Sequence, residues 1–338
     1  MCNEQYHKSD IIKIMAYEVR LDEEEYFEEL TKNMNIHIVY SKETLNAKTI
    51  DMARGFDGIT TLGQSQINAS ILDQLKEMNI KYISTRTLGY NHIDIEHAKK
   101  IGIKVANSPY GSNGVAEFTI MLMLMALRNY KQAMFRGNVN DYSLYGLVGK
   151  ELRGQTVGVL GSGKIGRAVI DYLSGFRCNI LVKDLYQSEE VKEKAKYVDL
   201  DTLYRESDII TLHIPYVKEN YHIINRESIA KMKDGVVIIN CARGELVDVD
   251  AIIEGIETKK IGALGLDCIE NEEGVYHLDR RTDIIPNKNM AYIRQFPNVI
   301  MTQHMAFYTR EAVRKMVELG LSNLISFFET GTCDFEIK

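Results

Sequence analysis

The sequence predicts an α/β protein built on two doubly wound parallel sheets, and three observations lead there. Short apolar runs of strand length alternate with amphipathic stretches along most of the chain, the pattern of parallel strands joined by right-handed helical crossovers. A glycine-rich turn, Gly161-Ser162-Gly163-Lys164-Ile165-Gly166, links one such run to one such stretch. A breaker cluster, Pro109-Tyr110-Gly111-Ser112-Asn113-Gly114, interrupts the alternation before it resumes. With 338 residues, 45% of them hydrophobic, the chain can bury two cores.

Taken in order, strands are expected at 11–17, 36–40, 58–62, 82–85 and 104–106, with helices at 22–34, 46–54, 69–78 and 94–101 between them. Past the breaker cluster a long helix over 115–136 carries the chain into a second domain. Its methionine-rich face reads as core or subunit interface, since methionine fills irregular apolar gaps. A strand at 156–160, the glycine turn and a helix at 165–175 follow. Further strands are expected at 179–182, 209–214, 236–240, 263–266 and 299–302, with helices at 228–232, 249–258 and 310–329. The first sheet has too few residues after its last strand to cover both faces, so the terminal helix is expected to return to it. That makes a discontinuous domain of 1–109 and 306–338, with a domain of 110–305 inserted.

In the glycine turn each glycine has its own task. Gly161 permits the tight bend, Gly163 leaves no Cβ between backbone and a pyrophosphate, and Gly166 lets helix and strand pack closely. The helix N-terminus then presents unpaired N–H groups and a positive dipole end to the phosphates. A second apolar strand ends in Asp184, 18 residues after Gly166, where an acid can accept from both ribose hydroxyls of an adenosine. Strand, turn, helix, strand and acid in this order predict a dinucleotide-binding Rossmann unit. A carboxylate at 184 repels a 2′-phosphate, and the next residue is Leu185 rather than an arginine, so the cofactor is expected to be NAD.

Composition excludes several other classes. A net charge of −6 and a pI near 5.8 argue against nucleic acid, and no lysine cluster is interleaved with aromatics. Five cysteines (Cys2, Cys178, Cys241, Cys268, Cys333) lack CxxC or metal-type spacing, which predicts no metal and a reducing compartment. The polar N-terminal stretch MCNEQYHKSD has no apolar signal region, and the most apolar run, FTIMLMLMAL at 118–127, is too short to cross a bilayer. A soluble cytoplasmic protein is the expectation.

Hydride exchange with a nicotinamide needs a group to orient the substrate, a proton donor or acceptor, and something to set that group's pKa. One residue of each kind stands near the end of a strand, where ligands bind in open α/β sheets. Arg243, in Asn240-Cys241-Ala242-Arg243-Gly244, could hold a carboxylate bidentately and polarise the adjacent ketone. His304 could serve as acid and base. Glu272, in an acid-rich run, would raise the histidine's pKa if the two were bonded. Taken singly, each is equally readable as a solvated loop residue.

Together with YISTRTLGYNHID (82–94), NCARGELVD, GLDCIENEE and the QHMAFYT around His304, these motifs give the chain a nearly end-to-end similarity to a known family. It resembles the D-isomer-specific 2-hydroxyacid dehydrogenases, in the spacing of their D-lactate dehydrogenase branch, which includes the vancomycin-resistance members. The resemblance implies a Rossmann NAD-binding domain inserted into a flavodoxin-like substrate domain. It carries the family's catalytic arginine, glutamate and histidine onto Arg243, Glu272 and His304. It places carboxylate-binding backbone N–H groups at Leu88 and Gly89, and a domain-junction tyrosine at Tyr110. Cofactor contacts fall on Gly161, Gly163, Lys164, Ile165, Gly166 and Asp184, on Ile214, Pro215 and Asn220, on Cys241, Ala242 and Arg243, and on Asp267 for the carboxamide. A homodimer through the nucleotide domain is implied as well.

Three positions depart from relatives: Tyr110-Gly111-Ser112 stands where many read Tyr-Ser-Pro, Leu62 where some lactate enzymes carry an aromatic ring, and Asp184 sets the chain apart from members that accept NADPH. The expected activity is NADH-dependent reduction of a short 2-oxo acid to the D-2-hydroxy acid, foremost pyruvate to D-lactate. One alternative is a reductase of branched or aromatic 2-oxo acids such as 2-oxoisocaproate and phenylpyruvate, consistent with a roomier pocket at Leu62. Another, of a different class, is an NAD(H)-sensing co-repressor on the same fold.

Overall fold

The computed structural model describes residues 11–32 and 34–338; the polar N-terminal stretch and Cys2 lie outside them. The chain forms two compact units, one of residues 1–111 and 308–338, the other of residues 112–307. In the first, β1 (Ile12–Ala16), α1 (Leu21–Thr31), β2 (Ile36–Tyr40), β3 (Gly58–Thr61), α2 (Ala69–Glu77), β4 (Tyr82–Thr85), α3 (Ile95–Ile101) and β5 (Lys104–Ala106) alternate. Their all-parallel sheet runs β2-β1-β3-β4-β5, the flavodoxin-like order. Ile59, Ile83 and Val105 pack on α2 and α3 through Leu72, Leu75 and Ala98. The other face, with Ile12, Ile14 and Ala16, is covered by Phe27 of α1 and by Val317, Leu321 and Leu324 of the terminal helix (Arg310–Thr330).

The second unit begins with α4 (Asn113–Leu127) and α5 (Tyr130–Asn138). It continues through β6 (Thr156–Leu160), α6 (Lys164–Gly175), β7 (Asn179–Lys183), α7 (Glu189–Lys192), β8 (Lys196–Tyr197), α8 (Leu200–Glu206), β9 (Ile209–Leu212), α9 (Arg226–Lys231), β10 (Val236–Asn240), α10 (Val249–Glu257), β11 (Ile261–Leu266), α11 (Lys288–Ile293) and β12 (Val299–Met301). Counting the terminal helix as α12 completes the element list. The seven parallel strands run β12-β11-β10-β9-β6-β7-β8, the Rossmann order with one added edge strand and a reversal at β6/β9. Two apolar layers enclose the sheet: α4 and α6 with Val157, Val159, Val237 and Ile239 on one face, and α9 and α10 with Ile210, Ile238 and Leu264 on the other. The expected fold class, two doubly wound parallel sheets with a Rossmann half, is the one observed.

Two helices differ from the sequence reading. The helix expected over 115–136 is broken in two, because Asn129 adopts a left-handed φ of +50°, which asparagine tolerates. Its side chain bonds Val148 O at 3.0 Å and Lys150 N bonds Leu127 O at 2.9 Å, so the returning chain fixes the break. A Cβ on Gly149 would stand 2.6 Å from Leu127 O, so only glycine fits that return. The helix expected over 46–54 is a single 3₁₀ turn, Ile50–Ala53. Asn46 and Thr49 there bond locally to Thr44, Lys48 and each other, and such competition favours turns over helix.

Candidate active site

Residues 161–166 join β6 to α6. Gly161 has φ +97°, and a Cβ on it would stand 2.5 Å from the carbonyl oxygen of His213. A Cβ on Gly166 would overlap the carbonyl of Gly161, whereas one on Gly163 would meet nothing within 4 Å. Gly161 and Gly166 close the turn, and Gly163, the N-cap of α6 ahead of Lys164 and Ile165, leaves the helix N-terminus open. That cradle fits a pyrophosphate.

Asp184 follows β7. Its carboxylate accepts from Ser162 N at 2.5 Å, Ser162 Oγ at 2.9 Å and Tyr186 N at 3.0 Å. Burial opposes its ionisation, but the N–H groups of Tyr186 and Ser162 outweigh it and hold the carboxyl below the usual range. Tyr197 Oη lies 2.9 Å from Ser162 Oγ and accepts from Ser188 N at 3.1 Å, which ties the loop after Asp184 to the glycine turn. A fixed anion there suits ribose hydroxyls and opposes a 2′-phosphate. Beyond β9, after Ile214 and Pro215, Asn220 staples its own loop: its amide accepts from Val217 N at 2.9 Å and donates to Pro215 O at 2.7 Å.

At the end of β10 the fully buried Asn240 accepts from Ala242 N at 3.0 Å and donates to Arg243 O at 2.7 Å. This turns the chain at Cys241 and Ala242 and sets the backbone of Arg243. A Cβ on Gly244 would run into the peptide between Ile269 and Glu270, so the turns after β10 and β11 touch backbone to backbone. One guanidinium N–H of Arg243 donates to Ala242 O at 2.6 Å, leaving most of its five donors for a ligand.

Asp267, directly after β11 and 1% exposed, clamps the loop after β12. Its carboxylate accepts from Thr302 Oγ1 at 2.6 Å, Met305 N at 2.9 Å and Ala306 N at 2.8 Å, and its carbonyl from His304 N at 2.7 Å. His304 is thereby held at a left-handed φ of +50°. Its Nδ1 makes a short hydrogen bond to Glu272 Oε1, while Glu272 Oε2 accepts from Ile269 N at 2.9 Å. A carboxylate only accepts, so Nδ1 carries the hydrogen and Nε2 is left to exchange a proton. Burial pushes the imidazole towards neutrality; the bond and charge of Glu272, aided by Asp267 and opposed by Arg243, outweigh it and leave the pKa above the ordinary histidine value. Burial pushes the Cys241 and Cys268 thiols far up, so neither is a nucleophile at neutral pH.

Leu88, Gly89 and Tyr110 belong to the first unit. Asn107 Nδ2 donates to Leu88 O at 2.7 Å and Thr87 Oγ1 to Gly89 O at 2.6 Å. Both carbonyls are pinned, while the N–H groups of Leu88 and Gly89 donate to no acceptor among the described residues. An anion would satisfy them. Tyr110 is half-buried, next to the residue where the chain leaves this unit.

Sequence reasoning overlooked Asn240 and the clamping by Asp267; the available signal was an amide or acid at the last turn of a strand, a position that favours side-chain-to-backbone bonds. A surface depression of about 590 Å³ lies at the opposite, N-terminal ends of β10 and β11. Four of its charged side chains are paired, Arg226 with Glu254 at 2.7 Å and Lys260 with Asp234 at 2.8 Å, and the fifth is the exposed Lys259. Among the described residues no cluster of three or more His, Cys, Asp or Glu could hold a metal, and no helix is long and apolar enough to cross a membrane.

The chain is similar to known dehydrogenases along nearly its whole length. The family model "D-isomer specific 2-hydroxyacid dehydrogenase, NAD binding domain" matches residues 120–306. An aromatic 2-oxoacid reductase of Clostridium sporogenes is 44% identical over 324 residues, 95% of this chain and 98% of that protein. A D-lactate dehydrogenase of Lactiplantibacillus plantarum is 36% identical over 330 residues, 97% of this chain and 99% of that one. The solved structure of a D-2-hydroxyisocaproate dehydrogenase superposes with a TM-score of 0.87 at 33% identity, covering 96% of this chain and 99% of that one.

Proposed function

The chain belongs to the D-isomer-specific 2-hydroxyacid dehydrogenase family and is an NAD-dependent oxidoreductase; within that family we propose that it reduces 2-oxo acids with bulky side chains to D-2-hydroxy acids. The observation that carries the reduction chemistry is the Glu272–His304 bond beside Arg243. In this reading the guanidinium of Arg243 binds the substrate carboxylate and polarises the ketone. His304 Nε2 gives its proton to the keto oxygen, and Glu272 stabilises the imidazolium beforehand. The chemistry supplied by the bound cofactor is a hydride for the carbonyl carbon. Holding these groups together contributes proximity and electrostatic stabilisation, the two largest effects open to such an enzyme. Asp184 and the glycine cradle favour NADH over NADPH.

Two observations support a bulky substrate over pyruvate. The aromatic 2-oxoacid reductase is more similar to this chain than the D-lactate dehydrogenase is, at 44% against 36%. Leu62, directly after β3, is also smaller than the aromatic ring that the family resemblance puts at this position in some lactate enzymes. Pyruvate remains the second reading, supported by the D-lactate dehydrogenase relatives. One experiment decides: kcat/KM for NADH-dependent reduction of pyruvate, 2-oxobutyrate, 2-oxoisocaproate and phenylpyruvate. Values rising with side-chain size support the proposal, and a maximum at pyruvate overturns it.

The proposal extends to assembly as a homodimer through the second unit. Phe135, Val139, Tyr142, Leu144, Tyr145 and Val148 are each at least 62% exposed on α5 and the chain after it, an apolar density that normally marks an interface. Light scattering giving a monomer mass at micromolar concentration would refute it.

A further inference from the structure

We propose that Glu18 is a positioning residue that sets substrate selectivity, by fixing the segment Leu62–Ser65 from behind. The inference rests on the reading of Leu62 as the wall facing the substrate's side chain. Glu18 follows β1 at φ +58°, a conformation that a non-glycine residue adopts only when its surroundings hold it there. Its backbone is bonded on both sides, its N–H to Glu43 O at 3.0 Å and its carbonyl from Arg86 Nη2 at 3.4 Å.

The side chain is 6% exposed, and no lysine or arginine among the described residues forms an ion pair with it. The carboxylate is instead satisfied by the loop after β3. Oε2 accepts from Leu62 N at 2.9 Å and Gln64 N at 3.2 Å, and Oε1 takes a short bond from Ser65 Oγ. Ser65 Oγ in turn accepts from Leu45 N at 2.8 Å. Two backbone N–H groups and a hydroxyl converging on one buried carboxylate make a small anion nest, and the anion here belongs to the protein itself. The conformation of 62–65 is thus dictated by Glu18, since any other would leave its buried charge unsatisfied.

This loop leaves the C-terminal end of a parallel strand, the end where ligands bind. Thr85 Oγ1 lies 2.9 Å from Leu62 O and 2.7 Å from Thr87 Oγ1, which donates to Gly89 O at 2.6 Å. Glu18 therefore stands behind both the side-chain wall at Leu62 and the turn at Leu88 and Gly89, and touches neither substrate nor cofactor.

The test compares wild type with E18A, E18Q, S65A and L62Y. For each, kcat/KM is measured for phenylpyruvate and for pyruvate, and Kd for NADH by fluorescence. E18A is expected to change the phenylpyruvate-to-pyruvate ratio at least about fivefold, carried by KM, with the Kd for NADH within about twofold of wild type. E18Q keeps an acceptor for both N–H groups and turns its amide nitrogen to Ser65 Oγ, so its ratio stays within about twofold of wild type. S65A shifts the ratio in the direction of E18A by less, and it decides alone should E18A not fold. A ratio moved by L62Y but by neither E18A nor S65A overturns the role of Glu18 and leaves the reading of Leu62 standing. A ratio unmoved by L62Y overturns that reading, and this inference with it.

Discussion

Replacing Asp267 by asparagine tests the clamp on the histidine loop, and stability is read without cofactor because the resemblance also assigns this residue to the nicotinamide carboxamide. Three donors converge on the carboxylate: Thr302 Oγ1 and Met305 N on Oδ1, and Ala306 N on Oδ2. An asparagine can keep its oxygen at the first position, which retains two of the bonds. Its NH2 group then faces the N–H of Ala306, so one buried donor loses its acceptor, at a cost of about 1–3 kcal/mol. In a unit of this size each kcal/mol lowers Tm by about 2–4 °C. Differential scanning calorimetry of the cofactor-free D267N protein should therefore show the transition of the unit that carries Asp267 down by roughly 2–12 °C. Since His304 lies between the clamped residues, a displacement near 1 Å should lower kcat by about tenfold or more. A D267N protein with Tm within about 1 °C and kcat within about twofold of wild type would refute the clamp.

Three further outcomes follow from the same geometry. Reduction requires the imidazolium, so kcat/KM for the 2-oxo acid is high below the pKa of His304 and falls as pH rises through it; because Glu272 raises that pKa, E272Q should move the alkaline limb to lower pH, and a superimposable pH profile would remove Glu272 from the mechanism. R243Q should raise KM and lower kcat together, and a loss in kcat/KM of less than about tenfold, roughly 1.4 kcal/mol, would contradict carboxylate binding by the guanidinium. D184A should weaken NADH binding by about tenfold, the equivalent of one or two lost hydrogen bonds, while relieving the repulsion of NADPH; fluorescence titrations that leave the ratio of the two Kd values unchanged would exclude Asp184 as the discriminating group.

The sequence made the sheets legible because parallel strands buried on both faces are written as continuous apolar runs, as at 156–160 and 236–240. The glycine turn was legible because each glycine answers a local steric demand. The broken helix was not: its interruption at Asn129 depends on Gly149 and Lys150 returning across it, and nothing within a helical window announces that. Nor were β8 and the short helices α7 and α8, at four and seven residues too brief to show a period. Within the candidate site, Arg243, Glu272 and His304 could be nominated by residue type and position. The holding roles of Asn240 and Asp267 could not, nor that of Glu18 behind Leu62, since all three act largely through bonds to backbone atoms that pattern does not encode. In the sequence Glu18 is one acid shortly before the acid-rich start of α1, while its carboxylate bonds residues 44 to 47 positions away.

The absence of a side chain at Gly244 has a practical corollary for anyone redesigning this enzyme. Its backbone lies directly against the peptide joining Ile269 to Glu270, so the guanidinium and the carboxylate behind the imidazole ride on two turns that cannot slide past one another. Shifting one by lengthening or substituting its turn shifts the other. Libraries that vary residues 240–244 while holding 267–272 fixed should therefore return mostly inactive clones, and the two segments are better transplanted between homologous scaffolds as a single cassette.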